Sequence, residues 1–120
     1  MTNPENDLAE QYGIAKMLLR CGVSVKTKGF AFLSRAVYLC TLHRYRRISD
    51  LYSEIGTQFG CDEHTVHNYT DYALNNAKEL CAFINDTLGT NYSSYRLNNK
   101  STVILLAMCY TELKSKQGSD

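Results

Sequence analysis

The chain contains no tryptophan, one proline (Pro4) and seven glycines in 120 residues. So few backbone-breaking residues leave little room for the many turns of a β sandwich or barrel, and they favour helices joined by short connections. The expected fold is all-α, about six helices with a helix-turn-helix at the centre. No run reaches the ~18 apolar residues that a membrane span requires, which excludes a spanning helix, and no membrane partner is expected. The start, MTNPENDLAE, is polar and acidic where a secretory leader would be basic and then apolar, so a cytoplasmic location is expected. The five cysteines (Cys21, Cys40, Cys61, Cys81 and Cys109) are odd in number and form no CxxC pair. They read as reduced thiols packed like small hydrophobes. No glycine-rich phosphate loop or nucleophile elbow is present, and the three histidines (His43, His64, His67) have no evident nucleophile and orienting partner. The expectation is therefore a non-enzyme with no cofactor and no small-molecule substrate.

One further absence is informative. From Lys16 to Arg47 no aspartate or glutamate occurs, while Lys16, Arg20, Lys26, Lys28, Arg35, Arg44, Arg46 and Arg47 all do. The net charge of +1 hides this asymmetry. A one-sided positive surface is the electrostatic footprint of a polyanion-binding protein, although a solvated charged face gives the same pattern.

The spacing of apolar residues divides the chain into a flexible tail over residues 1–7, one domain over 8–116 and a short flexible tail over 117–120. A first helix is expected from Leu8 to Arg20, with Ile14, Ala15, Leu18 and Leu19 inward and Gly22 just past its end. A second carries Phe30, Leu33, Ala36, Val37 and Cys40 inward and stops near His43, in the basic run HRYRR. In the third, Ile48, Leu51, Tyr52, Ile55 and Phe59 share one face. Gly60 ends it. Asp62 is then a suitable N-cap for a fourth helix, with Glu63 favourably placed against the dipole. There Val66, Tyr69, Thr70, Ala73, Ala77 and Leu80 fall on the inner side, and His64, His67, Asn68, Asp71, Asn75 and Lys78 on the outer. A break between Asn75 and Lys78 is compatible with the residues but not dictated by them. GTNYSSYRLNNKS reads as a loop, and a last helix is expected from Thr102 to Lys114. Its run VILLAMCY is apolar almost all round, to be covered by the rest of the domain or by a second copy in a homodimer.

Two short helices around a glycine turn fit the demands of a helix-turn-helix: a small residue in the first helix, glycine at the turn, and apolar residues locking the second helix down. Gly56, Gly60, Val66 and Tyr69 meet these demands in order. That geometry places His64 to Asp71 where a recognition helix would enter a major groove, so double-stranded DNA is the expected partner.

The stretch GVSVKTKGFAFLSRAVYL, followed at the matching distance by LYSEIGTQFGCDEHTVHNYTDYALNNAKE, resembles the C-terminal effector domain of the response regulator that initiates sporulation in endospore-forming bacteria, the stage-zero A protein family. Lys28, Gly29 and Phe30, then Leu51, Tyr52, Glu54 and Ile55, carry the likeness, and NNKSTVILLAMCYTELKSK is similar to that family's last helix. The resemblance implies a six-helix DNA-binding domain that regulates transcription from a short operator box, here without a receiver domain of its own. It places base-reading roles on Thr65, His67, Asn68 and Asp71, where the family has mainly arginines and a glutamate. None of those four matches the family's residues.

Without arginine on that face, bidentate guanine contacts are unavailable. Asn68 can pair with adenine, His64 or His67 can donate to a base or a phosphate, Thr65 can touch a thymine methyl and Asp71 can accept from cytosine. Lys26, Lys28, Arg44, Arg46 and Arg47 flank the motif and can hold phosphates without reading sequence. Two rival readings remain. Cys61, His64 and His67 are three residues apart, with Asp71 a turn beyond, yet they match none of the common zinc spacings, so no metal is expected. The other rival is a degenerate helix-turn-helix that regulates a related transcription factor by binding it as a protein.

Overall fold

A computed structural model describes residues 4–93 and 98–117. Six helices account for the regular structure, and among the described residues there is no strand. They are α1 (Pro4–Arg20), α2 (Lys28–Leu42), α3 (Ile48–Phe59), α4 (Glu63–Asn75), α5 (Leu80–Leu88) and α6 (Asn99–Gln117). The all-α expectation with about six helices is met. No helix is long and apolar enough to cross a membrane.

Helix α2 is the centre of the molecule, packed against α1, α3, α4 and α6. Its sequence explains why. Besides the expected Leu33, Ala36 and Val37, it buries Phe32, Tyr38 and Leu39, so its apolar surface is wider than the single stripe read from periodicity. Phe30 and Cys40 pack at the edge of the core. The radius of gyration, 13.7 Å, matches the ~13.6 Å of a compact domain of this length.

Several boundaries differ from expectation for identifiable reasons. Helix α1 begins at Pro4 rather than Leu8, so part of the segment expected to be a flexible tail is helical. Proline suits a first helical turn, where its missing N–H has no intrahelical partner to lose. Residues 1–3 and 118–120, the remainder of the expected tails, lie outside the described residues. The inner face of α1 is Ile14, Met17 and Leu18, continued by Cys21 just past its end. Ala15 is half-buried and Leu19 is exposed, so the stripe is rotated by about one position from the one expected. Gly22 does end α1, at φ 87°. Val23 N–H returns to Leu18 O and Gly22 N–H to Leu19 O, the paired bonds of a left-handed cap.

The break left open after Asn75 exists, and it is tertiary in origin. Asn76 Nδ2 donates to Tyr72 O at 2.8 Å, which satisfies a carbonyl at the end of α4. Glu79 N–H then bonds Cys21 O at 3.1 Å, fastening the link to the end of α1. Ala77 and Leu80 are buried as expected, but from this link and from α5 rather than from α4. The last helix starts at Asn99 and runs to Gln117, longer at both ends than Thr102 to Lys114. Asn98 is the reason at its start: its Oδ1 accepts from Ser101 N–H at 2.8 Å, and its carbonyl accepts from the Thr102 hydroxyl. A residue counted as loop by its polarity serves as a cap. Residues 94–97 of the expected loop lie outside the described residues.

All five thiols are free. Cys21 and Cys109 are fully buried. Burial, reinforced by the neighbouring Cys109, pushes the Cys21 thiol up to about 12, and burial raises Cys109 and Cys40 to about 11. Such thiols hold their protons and pack as hydrophobes.

Two glycines permit the closest approaches. A Cβ on Gly29 would stand 2.2 Å from Tyr69 O and 2.8 Å from Ala73 Cβ, so α2 and α4 cross with backbone almost in contact. A Cβ on Gly56 would stand 2.4 Å from Cys61 O, so the turn folds directly onto α3. Gly60, in contrast, has open space around it and is required only for its φ of 75°. Gly29→Ala and Gly56→Ala should each cost about 1–3 kcal/mol or more through forced separation of packed helices. Gly60→Ala should cost roughly 1–2 kcal/mol through backbone strain alone. Denaturant unfolding of the three variants checks the order, and an unaltered midpoint for Gly29→Ala would contradict the crossing described.

Candidate nucleic-acid interface

Helices α3 and α4, joined through Gly60, Cys61 and Asp62, form the helix-turn-helix. Gly60 turns the chain in the left-handed region, and Cys61 N–H bonds Gly56 O at 2.8 Å. Asp62 caps α4 as expected, its Oδ1 accepting from Thr65 N–H at 2.8 Å. That bond holds the Asp62 carboxyl below its ordinary value. Glu63 in the first turn faces α3, where Ser53 Oγ donates to its Oε2 at 3.4 Å. Val66, Thr70, Ala73 and Leu74 bury the inner side. Tyr69 was expected among them, but it is 39% exposed. The reason is the Gly29 crossing: α4 lies so close to α2 that the Tyr69 ring is displaced to the flank, where it leans on Phe32 with centroids 6.0 Å apart.

The outer side of α4 divides into two edges. Along the first, His64, Asn68 and Tyr72 recur every fourth residue and are all exposed, Tyr72 at 59%. Lys26 and Lys28 reach this edge from the start of α2. Together with Asn68, Tyr69 and Tyr72 they line a shallow groove of about 510 Å³. Lys28 Nζ stands 5.6 Å from the centre of the Tyr69 ring, a cation–π distance. Two lysines, an amide and two phenol rings thus share one surface.

The second edge is tied to the rest of the molecule. His67 is exposed, but its ring lies against Tyr52 with centroids 5.7 Å apart. Asp71 is half-buried: Oδ1 accepts from Asn99 Nδ2 and Oδ2 from Asn75 Nδ2, each at 3.3 Å. The Tyr52 hydroxyl donates to Asn99 Oδ1. Burial, with the Asp71 charge second, pushes the Tyr52 phenol well above its ordinary range, so this hydroxyl stays a donor. The chain Tyr52–Asn99–Asp71 therefore pins the start of α6 to the helix-turn-helix. Thr65, half-buried, contributes its backbone N–H to the cap.

Of the five basic residues singled out in the sequence, the structure brings Lys26 and Lys28 to the α4 surface. Arg44, Arg46 and Arg47 are exposed on the connection between α2 and α3. Tyr45 fastens that connection to α3 by donating to Glu54 Oε1 at 3.1 Å. Arg44 lines a different groove, shared with α6. Arg47 precedes the far end of α3, about 20 Å along that helix from Gly60. Cys61, His64, His67 and Asp71 do not assemble: among the described residues no group of three or more His, Cys, Asp or Glu side chains could hold a metal ion. Tyr72 falls on neither face read from the sequence, since its ring is apolar and its hydroxyl polar, yet it is 59% exposed. The four-residue recurrence of His64, Asn68 and Tyr72 was the available signal.

The chain matches no family model, and neither the curated proteins nor the solved structures include a match to it.

The Asp62 cap generates a pH-dependent expectation. Its carboxyl is depressed in the folded state by the Thr65 N–H bond. The stabilisation is thus complete above the unfolded value, near 3.8, and is lost as pH falls through the lower folded value. Asp62→Ala should lower the melting temperature at neutral pH and lose less on acidification than the parent. Asp62→Asn should retain most of the neutral-pH stability while losing the acid-dependent part. Thermal melts at neutral and acidic pH read both differences.

Proposed function

We propose that the chain is a sequence-specific DNA-binding regulator of transcription in which α4 lies in the major groove and reads bases. The observation that carries this reading is the juxtaposition of Lys26 and Lys28 with the exposed His64–Asn68–Tyr72 edge of the second helix of a helix-turn-helix. Phosphate contacts position such a helix and base contacts specify the sequence, and this surface offers a group for each. Lysine ammonium groups and the Tyr72 hydroxyl meet phosphate oxygens. Asn68 presents an amide that pairs bidentately with adenine. The sequence resemblance to the sporulation effector domain supports the same placement of α4.

The local electrostatics add a direction of approach. Asp62 and Glu63 put negative charge at the start of α4, which disfavours a phosphate there. The lysines flank the first edge instead. The duplex backbone is therefore expected along the Lys26–Lys28 side, with His64 and Asn68 facing the bases. Asp71, committed to Asn99 and Asn75, serves better as an anchor for α4 than as a reader of cytosine. No arginine stands on α4, so adenine-containing steps are favoured over guanine.

Selection from a random duplex pool should enrich a short box. Asn68→Ala should relax preference at one position of that box, at a cost of about 1–3 kcal/mol there. Lys28→Ala should weaken all sequences alike and reduce the log–log salt slope by ~0.9. Absence of duplex binding even at low salt would reject this reading and favour the alternative, a helix-turn-helix that binds a related transcription factor as a protein.

A further inference from the structure

Helix α6 was expected to be covered on more than one side, and on one side it is not. Val103, Leu106, Ala107, Cys109 and Tyr110 are buried in the domain. Ile104 and Met108, one turn apart, are 43% and 51% exposed. One turn before Ile104 stands Lys100, and one turn after Met108 stands Glu112, both exposed. The four residues form a single row at four-residue spacing, about 18 Å long. Neither charged end has an ion-pair partner among the described residues; the α6 ion pair to α1 uses Lys114 and Glu10 instead. Beside the row, Arg44, Tyr45 and Ile48 complete an open groove of about 670 Å³.

The row has a symmetry of its own. Reversed end for end, cation exchanges with anion and isoleucine with methionine. A second copy of α6 laid antiparallel therefore sets Lys100 against the partner's Glu112 and Ile104 against the partner's Met108, and the same contacts recur on the other side of the axis. A parallel arrangement would oppose lysine to lysine and glutamate to glutamate. Rows at four-residue spacing are inclined about 26° to the helix axis, so two of them align at a crossing of about 50°. That is the commonest class of helix packing in globular proteins. The patch is complementary to itself, as an interface on a two-fold axis requires. The groove beside the row gives the partner's apolar side chains a place to seat.

We propose that this face of α6 binds a second copy of the chain, antiparallel, through the Lys100–Ile104–Met108–Glu112 row. The inference does not depend on DNA binding and is tested without DNA.

Sedimentation velocity from micromolar to millimolar protein at low salt should show a reversible monomer–dimer equilibrium. Lys100→Glu alone, or Glu112→Lys alone, replaces two attractive contacts per dimer by two repulsive ones. Each should weaken the dimer by roughly tenfold or more. The double variant Lys100→Glu/Glu112→Lys restores complementarity and should recover most of the affinity. An equimolar mixture of the two single variants should form a heterodimer, since each then supplies what the other lacks. Met108→Asp should abolish dimerisation. All these side chains face solvent, so circular dichroism should be unchanged; were a reversal to perturb it, Lys100→Gln and Glu112→Gln would serve in its place, each weakening the dimer less. A parent that stays monomeric throughout would overturn the proposal. So would a double variant no better than the singles, which would place the contact on another face.

Discussion

The contact on which the rest of the structure depends is the crossing of α2 and α4 at Gly29. A single hydrogen in place of a methyl group lets the Tyr69 carbonyl and the Ala73 side chain come down onto the α2 backbone. The character of the free edge of α4 follows. Tyr69 cannot enter a core that its own backbone already fills, so its ring moves to the flank. Lys28, the residue before that glycine, is carried to the same flank and lies against the ring. The adjacency of lysine and glycine in the sequence thus has a mechanical meaning. The glycine sets the distance between two helices, and the lysine is delivered to the surface they create.

A second anchor works from the other side. Tyr52 of α3, Asn99 of α6 and Asp71 of α4 are joined by hydrogen bonds at a point where the three helices converge. One edge of α4 is consequently committed to structure and the other is left open. The proposed interface with DNA occupies the open edge, and the proposed interface with a second copy occupies the exposed row of α6. Because α6 begins at the shared anchor, a two-fold pairing of α6 would hold two copies of α4 in a fixed mutual relation. Helix-turn-helix dimers of that symmetry read inverted half-sites. The symmetry of a selected box would therefore report whether α6 pairs in this way.

Much of the fold was legible because its determinants are local. Gly22 and Gly60 end helices where positive φ is needed, Asp62 caps α4 through its own third residue, and Leu51, Tyr52 and Ile55 of the α3 stripe follow from helical period. Phe59, expected on the same face, is instead 46% exposed at the end of α3, where its ring meets Phe32 edge to face. The start of α6 was misplaced because Asn98 looks like any loop asparagine until its side chain is seen on Ser101 N–H. The inner face of α1 was rotated because Met17 and Leu19 are equally apolar, and only the position of α2 selects between them. On the candidate site, the reading brought His64, His67 and Asn68 correctly to the exterior. It did not separate the free edge from the anchored one. That separation depends on Asn99, which lies 28 residues from Asp71 in the chain.

By itself the sequence determined an all-helical chain, the turn at Gly60, the cap at Asp62 and the charge asymmetry that puts lysines before α2, since each is a property of a few neighbouring residues or of composition. Only the tertiary structure decided that Gly29 is the point of contact between α2 and α4, that Asp71 is bonded to the start of α6, that Arg44 lines a groove apart from Lys26 and Lys28, and that Ile104 and Met108 are the uncovered pair of a helix apolar almost all round. The physical reason is the same in each case. Periodicity says which residues share a face, but burial is assigned by what stands opposite, and the opposing group comes from a distant part of the chain.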